Sequence, residues 1–302
     1  MSTPAAPRSI QQYLEQLRTA LAGEDPALVQ DALYDAEEYL RAEVLSHPGK
    51  TESDVLELIA STYGAPDEVA DAYRQTEKQV RTALAPPKRP VRRTAIGQFF
   101  GVYGDPRAWT SLFFMLLSIV TGVLYFSVTV TGASLSLGLL ILIVGIPILL
   151  LFLGFERVLA LVEGRIVEGL LGVRMPRRPR YPATGVPMLE RIKDMLKDRR
   201  TYTTMLYFVL MLPLGVAYFT VAVVGVTVSA ALVAAPFAFA LEDMGMIQLS
   251  SGISWQPSLA LGVVAAAGGV LMATLLLHLA RGVGIVHGAL AKHLLVAQSP
   301  TD

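Results

Sequence analysis

Residues 108–155 contain no Asp, Glu, Lys or Arg, and the same holds for 201–241 and 244–280. A membrane-spanning helix needs roughly 20 apolar residues at a rise of about 1.5 Å each. These runs therefore predict a polytopic helical membrane domain. Hydropathy marks five segments, at about 109–130, 134–155, 203–224, 225–241 and 258–280. Overall, 17% of residues are charged, against about 25% in ordinary soluble chains, and mean hydropathy is +0.51.

Charge sorts along the chain although 25 bases balance 25 acids. Residues 1–84 carry 15 acids and 7 bases, an acidic head. Residues 85–107 carry five bases and one acid, and 156–200 carry 11 bases and six acids. The positive-inside rule places both basic stretches in the cytoplasm. The segment 242–257 has no Lys or Arg and reads as extracytoplasmic, whereas Arg281 and Lys292 read as internal. Only an even number of spans satisfies both. The expectation is four spans (109–130, 134–155, 203–224, 258–280), with 225–257 extracytoplasmic and 225–241 re-entrant or lying on the membrane surface. Five spans with an external C-terminus is the alternative. The N-terminus lacks the apolar core of a secretory signal, so the first span is expected to direct insertion.

The membrane region repeats itself. Offset by 93, residues 105–132 share 11 identities with their counterparts. They include Asp105 with Asp198, Arg107 with Arg200, and Gly122-Val123 with Gly215-Val216, while Trp109 meets Tyr202. Offset by 124, Arg157, Val162-Glu163-Gly164 and Leu170-Leu171 meet Arg281, Val286-His287-Gly288 and Leu294-Leu295. Two copies of equal orientation imply a pseudo-twofold along the membrane normal. The fold class expected is all-α, a small helical domain plus a membrane domain of two parallel repeats.

Helical periodicity organises the head. Ile10, Tyr13, Leu14, Leu17 and Leu21 share one face. Asp25-Pro26 caps a second helix through about Ser46. Thr51-Glu52-Ser53-Asp54 is a capping box, and Gly64-Ala65-Pro66 stops one helix and starts the last. The division expected is a head at 1–84, a basic Pro-rich linker at 85–104 and a membrane domain at 105–297.

The head residues Tyr13-Leu14-Glu15-Gln16-Leu17, Asp35-Ala36-Glu37-Glu38-Tyr39 and Tyr63-Gly64-Ala65-Pro66, with Val69-Ala70 and Tyr73, resemble the HAAS-type helical signalling domain of bacteria. That resemblance implies protein contact rather than catalysis. From Asp105-Pro-Arg-Ala-Trp-Thr onward the chain resembles the sensor domain at the N-terminus of many actinobacterial histidine kinases. Gly145-Ile146-Pro147, Ala160-Leu161-Val162-Glu163-Gly164-Arg165 and Leu170-Leu171-Gly172-Val173-Arg174-Met175-Pro176 carry the likeness. No phosphoacceptor helix pair or ATP-binding domain accompanies it, so kinase activity is not implied. The location implied is the bacterial cytoplasmic (inner) membrane, with the N-terminus in the cytoplasm.

Candidate chemistry is sparse. Glu163 and Glu168 lie beside Arg157 and Arg165 and read as a solvated, ion-paired helix face. Arg174, Arg177, Arg178 and Arg180, like Arg89, Arg92 and Arg93, read as a topology determinant that attracts anionic headgroups. Asp35, Glu37, Glu38 and Glu43 form an acidic face, ordinary solvated surface or a candidate partner-docking surface. His278, His287 and His293 are spaced for interfacial polar roles, not a metal site. No phosphate-binding loop, nucleophile elbow or dinucleotide fingerprint is present, and there is no cysteine. No catalytic residue, cofactor or metal is expected, and no enzyme.

The leading expectation is a non-catalytic membrane sensor that relays a membrane or envelope state through its head to a cytoplasmic regulator. The lipid bilayer, a lipophilic ligand between the repeats and a homo-oligomer are further partners. An acidic head disfavours direct nucleic-acid binding. The alternatives are an anti-sigma or regulator-tethering factor, and an accessory subunit of a transporter or lipid-handling complex. One mechanism is foreseen, docking of the acidic head on the basic linker and the 173–200 segment.

Overall fold

The computed structural model describes residues 6–59, 61–84, 94–141, 145–177, 196–246 and 258–296, and every regular element among them is helical. The head comprises α1 (Ile10–Ala20), α2 (Pro26–Ser46), α3 (Glu52–Ile59) and α4 (Pro66–Leu84). A short α5 (Ala95–Phe100) and a 3-10 turn at Gly101–Gly104 lead to α6 (Pro106–Leu139), α7 (Gly145–Leu171), α8 (Arg199–Asp243) and α9 (Leu259–Leu295). These last four are long and apolar enough to cross a membrane.

Side-chain caps set the starts of the head helices, since the first backbone N–H groups of a helix have no partner within it. The Ser9 hydroxyl accepts from the Gln12 amide at 3.2 Å, and Asp25 accepts from Ala27 at 3.0 Å. Thr51 and Asp54 exchange side-chain-to-amide bonds, both 3.2 Å long. The apolar faces so aligned close one core from Tyr13, Leu17, Leu21, Ala36, Leu40, Leu56 and Val69. Tyr39 stacks on Tyr63 with ring centres 4.3 Å apart, and the Tyr13 hydroxyl donates to the Gly64 carbonyl at 2.9 Å.

Asp105 and Asp198, equivalent in the repeat, cap α6 and α8 identically, accepting from the Arg107 and Arg200 amides at 3.2 and 3.0 Å. Within the copies, Gly132 lies against Phe152 as Gly225 lies against Leu276. Between them, Gly122 meets the backbone of Met211 while Gly215 meets that of Ser118, each contact being the repeat image of the other. A Cβ at either glycine would collide with a main-chain carbonyl, so only glycine permits this approach. The Tyr125 and Phe208 rings continue the contact at 4.7 Å. The partners of 118, 122 and 125 are thus 215, 211 and 208, in falling order. α6 and α8 therefore meet in opposite chain sense. Equivalent residues of the two copies make matching contacts, but the side-by-side parallel packing expected from sequence is not what joins these two helices.

A second correction concerns 225–241, expected to be re-entrant or on the membrane surface. It continues α8, a single helix of 45 residues and about 67 Å. Pro236 removes one internal hydrogen bond without breaking the helix. α9 packs along this stretch, with Gly262 against Pro236 and Gly269 against the Ser229 carbonyl, Leu232 and Val233. Antiparallel packing of 225–236 on 262–276 makes a hairpin continuous with the third apolar helix.

Candidate functional site

Two polar assemblies stand out in an otherwise apolar domain. The first joins the head to the membrane domain. After α7, Gly172 takes φ +72°, a left-handed conformation open to glycine without a Cβ penalty. The chain then folds back as a strap, residues 173–177, with Met175 packed on Gly164. From this strap the Arg174 guanidinium donates to Asp31 of α2 at 3.0 Å, and the Arg177 amide donates to the other oxygen of Asp31 at 2.7 Å. Arg174 also pairs with Glu168 at 3.4 Å and with Glu77 of α4 at 3.6 Å.

The side chains of Asp31 and Arg174 are 8% and 12% exposed. Their attraction is therefore screened less than that of a surface pair. Outside this clasp, Lys292 of α9 reaches Asp25 at 2.5 Å, and Arg200 donates to Gln30 at 2.8 Å. Asp25, Gln30 and Asp31, at the start of one head helix, are tied to three separate parts of the membrane domain.

The second assembly lies where α6, α7, α8 and α9 meet. Glu163 is wholly buried, accepting from the Tyr125 hydroxyl at 3.0 Å and the Tyr207 hydroxyl at 2.6 Å. The Tyr207 oxygen also lies 2.9 Å from His287 Nε2. His287 is fully buried, 4.7 Å from the ring of Phe114 and 5.6 Å from that of Tyr218. Nearby on α7, Glu156 is buried and accepts from Thr129 at 2.6 Å. A buried carboxylate must be satisfied by hydrogen bonds or it destabilises the fold. Here two tyrosines serve that need for Glu163.

This arrangement corrects two sequence readings. Glu163 is not part of a solvated face; only Glu168 is, bridging Arg165, Arg174 and Arg177. His287 is core, not interfacial, whereas His278 meets the Phe99 carbonyl at 2.9 Å. The sequence did hold a signal: Glu163 and His287 occupy the same place in Val-x-Gly of the two copies.

Of the residues singled out from sequence, Asp105 also pairs with Arg281 at 3.4 Å, and the indole of exposed Trp109 donates to the Tyr103 carbonyl at 2.9 Å. Arg107 lies near Gly172, and Tyr202 is 55% exposed. On the acidic face Asp35 accepts from Tyr73 at 2.9 Å, Glu37 pairs with Arg41 at 2.8 Å, and Glu43 lies 3.7 Å from His47, leaving Glu38 exposed. Burial, then the neighbouring Asp35, pushes the Tyr73 phenol well up; burial, then Asp35 and Tyr39, pushes Tyr63 up to about 12. Arg89, Arg92, Arg93, Arg178 and Arg180 lie outside the described residues.

A family described as "Putative sensor" matches residues 114–295, from the first apolar helix to the end of α9. The chain belongs to this sensor family. The match takes in the first repeat from Phe114, the second repeat, the strap and the buried Glu163–Tyr207–His287 chain, and leaves out the head. Neither a curated protein nor a solved structure matches the sequence. Among the described residues no three His, Asp or Glu side chains gather for a metal ion.

Proposed function

We propose that this sensor-family protein is a non-catalytic signalling protein of the bacterial cytoplasmic membrane, in which the head reports the state of the membrane domain to a cytoplasmic regulator. The observation that carries the reading is the Asp31 clasp. The output candidate is held, through partly buried charge-assisted bonds, by the strap that closes the first repeat. Such bonds are about twice as strong as neutral ones, yet three or four of them leave a docked and a released state within reach of a modest stimulus. A stimulus shifts that equilibrium only by binding the two states differently. The basic 85–107 stretch, next to the head in sequence, supports a cytoplasmic head. The apolar outer faces of α8 and α9, with Phe237 72% and Val264 67% exposed, suit lipid, a lipophilic ligand or a second copy.

Photo-crosslinking from exposed Glu38 in native membranes tests the relay. The released variant Asp31→Asn is expected to crosslink a cytoplasmic protein more strongly than the wild type. Equal crosslinking in both would count against the head as the regulated output.

A further inference from the structure

We propose that Glu163, Tyr207 and His287 form a proton-binding site whose occupancy sets the seating of the strap and thereby the docking of the head. The inference rests on the reading of the head as output, and names the proton as the ligand sensed.

The hydrogen-bond chain through Tyr207 can run in either direction, and the proton on Glu163 decides which. Tyr207 has one hydroxyl proton but stands 2.6 Å from Glu163 Oε1 and 2.9 Å from His287 Nε2. With Glu163 ionised, Tyr207 donates to the carboxylate, so Nε2 of His287 must carry a proton and donate to the Tyr207 oxygen. The neutral ring then leaves Nδ1 bare, and Nδ1 has no partner in the structure. With one proton added on Glu163, the carboxyl donates to Tyr207, Tyr207 donates to Nε2, and the ring proton moves to Nδ1. Uptake of one proton at Glu163, from the aqueous phase, thus reverses the direction of the chain. The titratable groups facing this centre are Tyr125 from α6, Glu163 from α7, Tyr207 and Tyr218 from α8 and His287 from α9; the strap contributes Met175.

The site is coupled mechanically to the clasp. Met175 packs on Gly164, the residue after Glu163, and Val173 packs on Gly288, the residue after His287. Between these two contacts lies Arg174, which holds Asp31. The strap therefore rests on the two helices that the proton chain ties together. Protonation replaces the charge-assisted Tyr207–Glu163 bond by a neutral one, which is weaker, and lets α7 and α9 part beneath the strap.

The test uses the full chain in lipid nanodiscs. Because the protein has no cysteine, Ala42→Cys on the head and Ala289→Cys on α9, both exposed, take a unique pair of distance labels. The wild type is expected to change its label distance with a one-proton transition, and an infrared carboxylic-acid band is expected to appear over the same range. Glu163→Gln is expected to lose both responses. Glu156→Gln removes the other buried carboxyl of α7, which is bonded to Thr129 and outside the chain, and is expected to keep both, so a general effect of losing a buried carboxyl is distinguishable. Should Glu163→Gln not fold, His287→Gln is expected to abolish the distance response alone and keep the band. A wild-type distance that ignores pH, while Asp31→Asn still lengthens it, would overturn the proton site and leave the docked head standing. A distance that ignores Asp31→Asn as well would overturn the head reading itself.

Discussion

Gly122 and Gly215 show how single residues decide the contact between the repeats. Each faces a main-chain carbonyl of the other helix, of Met211 or Ser118, and a backbone atom cannot rotate aside. Gly122→Ala is expected to cost about 1 to 3 kcal/mol, as overpacking does. Thermal denaturation in detergent checks this, with Gly138→Ala, where a Cβ meets open space, as the control that changes little. In the head, Tyr63 ionises at about 12 rather than near 10 because burial and the Asp35 and Tyr39 neighbours penalise the phenolate. A raised folded value means stability that is complete below about pH 10 and lost as pH rises through about 12. Tyr63→Phe is expected to blunt that alkaline loss, read by far-UV circular dichroism of the full chain against pH.

At the scale of elements, local rules were enough where a helix is bounded by its own side chains. Ser9, Asp25-Pro26 and the Thr51/Asp54 box fix helix starts through bonds spanning two or three residues, so they can be read directly. The 225–241 segment departs from its sequence expectation for the converse reason. Hydropathy sees a 41-residue uncharged run as two candidates and a proline as a break, but whether the helix breaks depends on α9 lying against Pro236. The sense of α6 against α8 is likewise tertiary, since a repeat shows which residues correspond and not how the copies turn. Cysteine pairs decide this directly. Tyr125→Cys with Phe208→Cys is expected to crosslink, while Tyr125→Cys with Tyr218→Cys is not; the reverse pattern would mean that the two helices run side by side in one direction.

For the whole molecule, the charge pattern told where the polar regions lie and left open which of them meet. Asp31 and Arg174 are 143 residues apart, and nothing local marks them as partners. Their attraction was readable only as a general expectation that an acidic head seeks a basic segment. The buried Glu163 was hidden more deeply. Its carboxylate stands in a sequence rich in arginine, and its burial is made by tyrosines 38 and 44 residues away. What the sequence did expose was the aligned Glu163 and His287, and those two positions prove to be the centre where all four long helices meet. The account as a whole stands on the head being held against the membrane domain by the Asp31 clasp. The distance between labels at Ala42→Cys and Ala289→Cys in nanodiscs, at constant pH, measures that most directly. The account predicts one short, narrow population that becomes long and broad in Asp31→Asn; the same distribution in both proteins would contradict it.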